Sequence, residues 1–283
     1  MPELPEVETI ARGLRAVLPG RRITGVRLGK TDFIDDPAII EQQVPGARIA
    51  AVRRHGKFLL LDLESSNGNS HRSSLLIHLG MTGRLVTCDP AETVAKHTHV
   101  FFALDDGREL RYTDARRFGR IGLLQDPAAE KILGSLGLDP LEASEAQFVA
   151  LLKDRRARIK ALLLDQHVLR GIGNIYADES LWRARIHPMR LGARLTADEL
   201  RRLYGAVREV LNDAIRLRGS SIADYVDSDG NLGGFQRRHR VYQRDGKKCF
   251  RCGAIIRRTI VAGRSSHFCP RCQPAPRIRR TRR

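Results

Sequence analysis

Lysine, cysteine and long apolar runs are all scarce in this 283-residue chain, and each shortage excludes something. No apolar stretch approaches the roughly 18 residues that a membrane span needs, so no membrane partner is expected. The first residues, MPELPEVETI, are acidic and lack the basic-then-apolar layout of a signal peptide. Of the five cysteines, four fall in two close pairs near the C-terminus and Cys88 stands alone. Such a distribution is not a secreted disulfide framework and fits the reducing cytoplasm. Internal repeats are lacking too. Only eight of the fifty cations are lysine, which leaves 42 arginines. Arginine prevails where planar, bidentate contact with phosphate or base edges is useful, although a GC-rich genome gives the same bias. Acidic residues run short in one place. From Arg237 to Arg283 sixteen basic residues face a single acid, Asp245, so +15 of the total +18 sits there. A nearly neutral body with a basic end points to nucleic acid or an anionic surface.

What is present organises into two domains of an α+β protein. At 42% hydrophobic residues the chain can build real cores. Residues 5–18 read as a helix, with Pro5 in its first turn and Val7, Ile10, Leu14 and Val17 at steps of three and four. Eight short strands follow, at 23–28, 48–53, 58–63, 75–78, 84–87, 100–104, 110–113 and 121–124. Their number and spacing predict a two-sheet sandwich over residues 1–133, with a polar loop at 65–74. The pattern changes from strand to helix across a linker at 134–141. Helices are expected at 144–154, 157–165, 174–185 and 197–218, the last opened by a capping box of Thr196 and Glu199. The helical domain, 142–236, closes on a Gly-, Ser- and Asp-rich segment, 219–236, read as a functional or flexible loop. A small metal-bound hairpin at 237–273 and a basic, disordered tail at 274–283 complete the chain.

Cys249-x-x-Cys252 and Cys269-x-x-Cys272 carry the strongest local signal. Each pair sits on a tight turn that converges two thiolates, and two such turns complete a tetrahedron around one Zn²⁺. An iron–sulfur site has similar ligands but matches this spacing less well. Four protein ligands leave no open position, so the metal is expected to be structural. The arginines around it, Arg251, Arg257, Arg258, Arg264 and Arg271, suit phosphate contacts better than a plain solvated face. At the other end, removal of Met1 makes Pro2 a free secondary amine. Such an amine attacks an aldehyde-like carbon to give an iminium, which is cationic without further protonation. Glu3 and Glu6 follow at a helix N-terminus, where the dipole favours carboxylates. Taken alone, they read as balancing that dipole, with Pro2 incidental. Gly171-x-Gly173-Asn174 lies between helices, where Asn174 can cap the second one and freed N–H groups can face an anion, or where the chain simply turns a corner. Met81 and Phe118, taken alone, read as core residues; beside Arg116 they also suit a wedge into a base stack. Lys57 lies on the turn His55-Gly56-Lys57. His97 and His99 alternate on a strand, with no third residue to complete a metal site.

Taken together, these pieces resemble the bacterial formamidopyrimidine-DNA glycosylase family. The matching stretches are PELPEVET at 2–9, HGKFLLL at 55–61, IHLGMTG at 77–83, RYTDARRFGRI at 111–121, GIGNIYADESLWRARIHP at 171–188 and SDGNLGGFQ at 228–236, with the four cysteines and Arg264 between the pairs. They run in family order over nearly the whole chain. The resemblance implies an N-terminal helix with a β-sandwich, then a helix–two-turn–helix domain with a four-cysteine zinc-finger hairpin. It implies a bifunctional glycosylase and abasic-site lyase that excises oxidised purines from double-stranded DNA and works as a cytoplasmic, nucleoid-associated bacterial monomer. By the same resemblance Pro2 is the nucleophile, Glu3 the acid that assists base departure, and Glu6 a supporting carboxylate. Lys57 contacts phosphate and moves protons in β-elimination, and Asn174 and Arg264 grip the phosphates flanking the lesion. Arg264 is further tied to δ-elimination. Met81, Arg116 and Phe118 fill the gap left by the extruded base, and His97 and Arg155 are further DNA contacts. Two relatives of this scheme stay open: an endonuclease VIII-like enzyme for oxidised pyrimidines, and a non-catalytic zinc ribbon that binds damaged DNA. Where the family commonly has Val-Tyr-Gly-Arg before the hairpin, this chain has Val241-Tyr242-Gln243-Arg244.

The tail PAPRIRRTRR extends beyond the hairpin and is expected to add sequence-independent affinity. Deleting residues 274–283 should flatten the salt dependence of DNA binding measured by a fluorescence titration, and an unchanged salt slope rejects that role.

Overall fold

The computed structural model of the protein describes residues 2–65, 72–125, 131, 133–222 and 224–276; most of the polar loop at 65–74 and of the tail at 274–283 lie outside them. The chain divides into two compact units, residues 1–135 with 214–236, and residues 136–213 with 237–283.

In the first unit, α1 (Leu4–Val17) begins with Glu3 at the N-cap position and Pro5 in the first turn, where its missing N–H costs nothing. Its stripe of Leu4, Val7, Ile10, Ala11 and Leu14 is fully buried. Two antiparallel four-stranded sheets form the sandwich. One runs β1 (Ile23–Leu28), β6 (Thr98–Leu104), β7 (Glu109–Thr113), β5 (Arg84–Cys88); the other runs β2 (Arg48–His55), β3 (Phe58–Glu64), β4 (Arg72–His78), β8 (Arg120–Gln125). The central strand β3 is apolar at consecutive positions because both of its faces are covered. Leu59, Leu61 and Leu63 join the main core, while Leu60 packs with Leu76 and Leu124 in a separate cluster.

A buried ion cluster ties α1 to β2. Glu8 accepts from Arg54 Nε at 2.8 Å and from Arg12 Nε and Arg15 Nη1 at 3.0 Å each, and the Arg54 side chain is only 5% exposed. Burial works to raise the Glu8 carboxyl, but hydrogen bonds from Arg54, Arg15 and Arg12 outweigh it and hold the group below the ordinary carboxylate range.

The strand-dominated reading of this stretch omits a short helix, α2 (Pro37–Gln43). Asp36 caps it, its Oδ1 accepting the Ile39 N–H at 3.1 Å, and Pro37 opens the first turn. His97 is not on a strand as expected. It occupies a left-handed turn with φ of 68°, β6 starts at Thr98, and only His99 lies within the sheet.

The segment 219–236 also departs from the expected arrangement. It groups with the first unit, and it is held by side chains and backbone instead of hanging free. Tyr225 enters the sandwich core, and the Ser228 carbonyl accepts the Thr87 N–H at 3.1 Å. Asp227 Oδ1 takes the N–H groups of Asp229 and Asn231. Short polar bonds and two buried aromatic side chains, Tyr225 and Phe235, replace the periodic apolar pattern by which an ordered element is recognised in sequence.

The second unit holds α3 (Glu145–Leu152), α4 (Ile159–Leu164), α5 (Asn174–Ala184) and most of α6 (Ala197–Arg216). The expected capping box opens α6: Glu199 N–H donates to Thr196 Oγ1 at 3.2 Å and Thr196 N–H to Glu199 Oε2 at 2.8 Å. The hairpin β9 (Arg257–Val261) and β10 (Arg264–Phe268) packs on α5, where Trp182, Val241, Ile256, Cys249 and Cys269 share a small core. Among the described residues no helix is long and apolar enough to cross a membrane.

The depressed Glu8 pKa fixes a sign. Its stabilisation is fully present above the unfolded carboxylate pKa, about 4.3, and is lost as pH falls through the lower folded value. Glu8→Gln should therefore lower the midpoint of urea unfolding at pH 7 and converge on the wild type as pH falls through the lowered folded value; a gap of constant size from neutral to acid pH rejects the ionic account.

Candidate active site and metal centre

Pro2, Glu3 and Glu6 meet at the buried start of α1. Glu6 fixes the arrangement: its Oε2 accepts the Glu3 N–H at 2.8 Å and its Oε1 accepts the Ser220 N–H at 2.7 Å. The Tyr225 hydroxyl donates to the Glu6 carbonyl at 3.4 Å. Two segments far apart in sequence therefore share one carboxylate. Gly219 is required for this approach, since its φ is +78° and a Cβ there falls 2.7 Å from Glu6 Oε1. The arrangement holds the backbone of Glu3, buried like Pro2, at the start of α1.

A second cluster lies on the loops Leu79–Gly83 and Asp114–Gly119. Met81 is 42% and Phe118 56% exposed, so neither is the core residue that its type suggests. The Arg116 guanidinium stacks 4.5 Å from the centre of the Phe118 ring. Gly80, at φ +58°, lets the first loop lie against the backbone of Phe118, where a Cβ has no room. Lys57 sits in the turn between β2 and β3, beside His78. Burial first, then the positive charges of Lys57 and Arg120, push the His78 imidazole down to about 4. His78 is thus neutral near pH 7, and its Nδ1 accepts the Gly80 N–H at 3.2 Å.

Of the remaining expected contacts, His97 lies in the first unit and three lie in the second, on separate elements. Asn174 is the first residue of α5; the N-cap is Gly173, so the expected side-chain cap is not made. Arg155 is exposed between α3 and α4, its Nε donating only to the Leu151 carbonyl, at 3.3 Å. Arg264 opens β10 and is exposed, after a tight turn in which Ala262 and Gly263 both have positive φ.

The four cysteine sulfurs lie within 4.8 Å of one another, with Cys252–Cys269 at 3.4 Å and Cys249–Cys272 at 4.0 Å. Zinc–thiolate bonds of about 2.3 Å place the corners of a tetrahedron about 3.8 Å apart, so these residues fit the ion. Burial pushes the Cys269 thiol up and Cys272 up to about 12; at Cys249 the N–H donors of Arg251 and Cys252 help outweigh it and hold the thiol at about 6, so the ion itself has to favour the charged form at the others. A thiolate is the form that binds the metal. The site is closed by four thiolates, which makes the zinc structural.

Sequence reasoning missed the residues that attach this hairpin to α5. Asp178 accepts the His267 N–H at 2.9 Å and the fully buried Lys160 Nζ at 2.6 Å, and Lys160 also donates to the Ser265 carbonyl at 2.7 Å. Glu179 accepts the N–H groups of Arg240, Val241 and Tyr242 within 2.8–2.9 Å. Adjacent acids inside the apolar run IYADESLW were the available signal, since charge in a buried helix needs partners. Gln243, where the family commonly has glycine, adopts φ of 54°, a conformation that glycine enters more readily.

Fold and metal site together define a zinc-finger protein of the helix–two-turn–helix class. Three family models match in succession: the formamidopyrimidine-DNA glycosylase N-terminal domain over residues 1–121, the H2TH domain of the same enzymes over 136–226, and the zinc finger found in FPG and IleRS over 246–275. The formamidopyrimidine-DNA glycosylase of Pelotomaculum thermopropionicum is 46% identical over 279 residues, covering 96% of this chain and 99% of that protein. That of Solibacter usitatus is 47% identical over 275 residues, with the same coverage. Among solved structures, MutM (FPG) from Thermus thermophilus aligns with a TM-score of 0.84 at 42% identity, over 98% of this chain and all of that one. A Lactococcus lactis FPG variant in complex with DNA containing Fapy-dG aligns at 0.88 and 33% identity, over 97% of this chain and all of that one. The chain belongs to the formamidopyrimidine-DNA glycosylase family.

Cys269→Ser should release the zinc, seen as loss of about one equivalent per chain by metal analysis, and should unfold the hairpin. The sandwich should still melt cooperatively, because its core contains no hairpin residue. Full zinc retention in the variant rejects the four-thiolate site.

Proposed function

We propose that the protein is a bifunctional glycosylase and abasic-site lyase of base excision repair, acting on 8-oxoguanine opposite cytosine and on formamidopyrimidines in duplex DNA. The observation that carries this reading is the buried proline at position 2 beside Glu3, at a helix start pinned by Glu6. A base in a duplex is out of reach, so the target nucleotide is first extruded at a cost of about a few kcal/mol. The exposed Met81 and Phe118, with Arg116 on the same loop as Phe118, suit the vacated stack, and the Arg116 guanidinium suits the acceptors of an orphaned cytosine.

After removal of Met1, the Pro2 nitrogen forms a bond to the anomeric carbon as the bond to the damaged base breaks. Glu3 supplies the proton that assists base departure and ring opening. The resulting iminium draws electrons from the sugar, so loss of a C2′ proton expels the 3′ phosphate and a further elimination expels the 5′ phosphate. Lys57 moves protons in the first elimination, and Arg264 stabilises phosphate in the second. Asn174, Arg155 and His97 hold the backbone, and the enzyme acts as a monomer in the bacterial cytoplasm. Solved Lactococcus lactis relatives bound to DNA with Fapy-dG and with an abasic site support this choice. Another, bound to DNA containing an oxidised pyrimidine, supports a second reading in which oxidised pyrimidines are also substrates.

Borohydride reduction during reaction with an 8-oxoguanine:cytosine duplex should trap a covalent protein–DNA species with the intact protein. Pro2→Gly and an N-terminal extension should both reduce trapping by at least about a hundredfold, as expected when a covalent nucleophile is lost. No adduct from the intact protein leaves only the non-catalytic zinc-ribbon reading. Faster release of thymine glycol than of 8-oxoguanine favours the endonuclease VIII-like alternative.

A further inference from the structure

The geometry points to Asp114 as a positioning residue that locks the loops carrying Met81, Arg116 and Phe118 into one unit. This rests on the gap-filling role proposed above and goes beyond it, since Asp114 itself meets no DNA. Its side chain is wholly buried, at 0% exposure. Oδ1 accepts the Thr82 hydroxyl and, at 3.2 Å, the Arg116 N–H; Oδ2 accepts the Gly119 N–H at 2.9 Å and the Tyr112 hydroxyl at 3.2 Å. Donors therefore converge from both loops on one carboxylate. Thr82 is the hinge of the pair, because its Oγ1 also accepts the Arg116 N–H at 3.2 Å.

Three features show that the site is built for this. Burial, then the negative charge of Asp114, push the Tyr112 phenol up, so it stays a donor. His78 Nδ1 holds the opposite end of the first loop through the Gly80 N–H. Gly80 allows the two backbones to touch where any side chain would separate them. A buried carboxylate with this many donors is satisfied only when both loops are in place, so displacing one loop strands the charge and weakens the hold on the other. Met81 and Phe118, exposed and apolar, keep their outward positions because the polar work is done beneath them.

The test is single-turnover base release from two duplexes, 8-oxoguanine opposite cytosine and 8-oxoguanine opposite a tetrahydrofuran abasic analogue, where no orphaned base remains to be held. Thr82→Val removes one donor from Asp114 on a half-buried loop and leaves the core intact. Loss of a hydrogen bond to a charged group predicts release from the first duplex about tenfold slower, and from the second less than about threefold slower. Thr82→Ser, which keeps the hydroxyl, should restore the rate. Asp114→Asn should act in the same direction, with its fold checked by near-ultraviolet circular dichroism. Wild-type rates for Thr82→Val on the cytosine duplex, or equal slowing on both duplexes, overturn the proposal while leaving the enzyme's function intact. A wild type that releases no base from either duplex removes the functional reading and the proposal with it.

Discussion

The Glu6 carboxylate is the constraint on which the first unit turns. One oxygen takes the N–H of Glu3 and the other that of Ser220, so a single buried group fixes both the start of the chain and a segment more than two hundred residues later. A carboxylate in the interior is tolerated when backbone donors satisfy it, and removing either donor would cost part of that compensation. The same bond explains why residues 214–236 fold with the sandwich although the helical stretch before them does not. Gly219 and Tyr225 follow as consequences, the first giving room for the approach and the second sealing it from the core side.

Buried acids recur as organisers elsewhere in the molecule. Glu8 gathers Arg12, Arg15 and Arg54 between α1 and β2. Asp178 and Glu179 project from adjacent positions of α5, one to His267 of the hairpin and Lys160 of α4, the other to the N–H groups of residues 240–242. The zinc centre converges the thiolates, but these carboxylates decide where the hairpin sits on the helix. Acids in the body thus do structural work indoors, and the unbalanced arginines are left for the surface of the C-terminal end. There sixteen basic residues among the last 47 face Asp245 as the sole acid. Positive charge is thus concentrated at one end of the chain.

Much of this architecture is legible in the sequence because it follows periodicity and ligand spacing. The stripe of α1, the eight strands of the sandwich, the capping box of α6 and the four cysteines each announce themselves within a dozen or so residues. What escapes is of a different kind. α2 is a single short helix whose Asp36-Pro37 signal is real but brief. His97 leaves the strand because a left-handed turn precedes β6. Met81 and Phe118 look like core by residue type and are instead held out to solvent, since the loops beneath them are satisfied by polar bonds.

By itself the sequence determined the elements, the metal ligands and the family, because each depends on residues close in the chain or on motifs in fixed order. Only the tertiary structure decided which carboxylate anchors which loop, that the segment after α6 belongs with the sandwich, and that Asp114 joins two loops more than thirty residues apart. Those choices rest on donors brought together by folding. Hydrogen bonds to a buried charge depend on position in space, and sequence distance carries no trace of them.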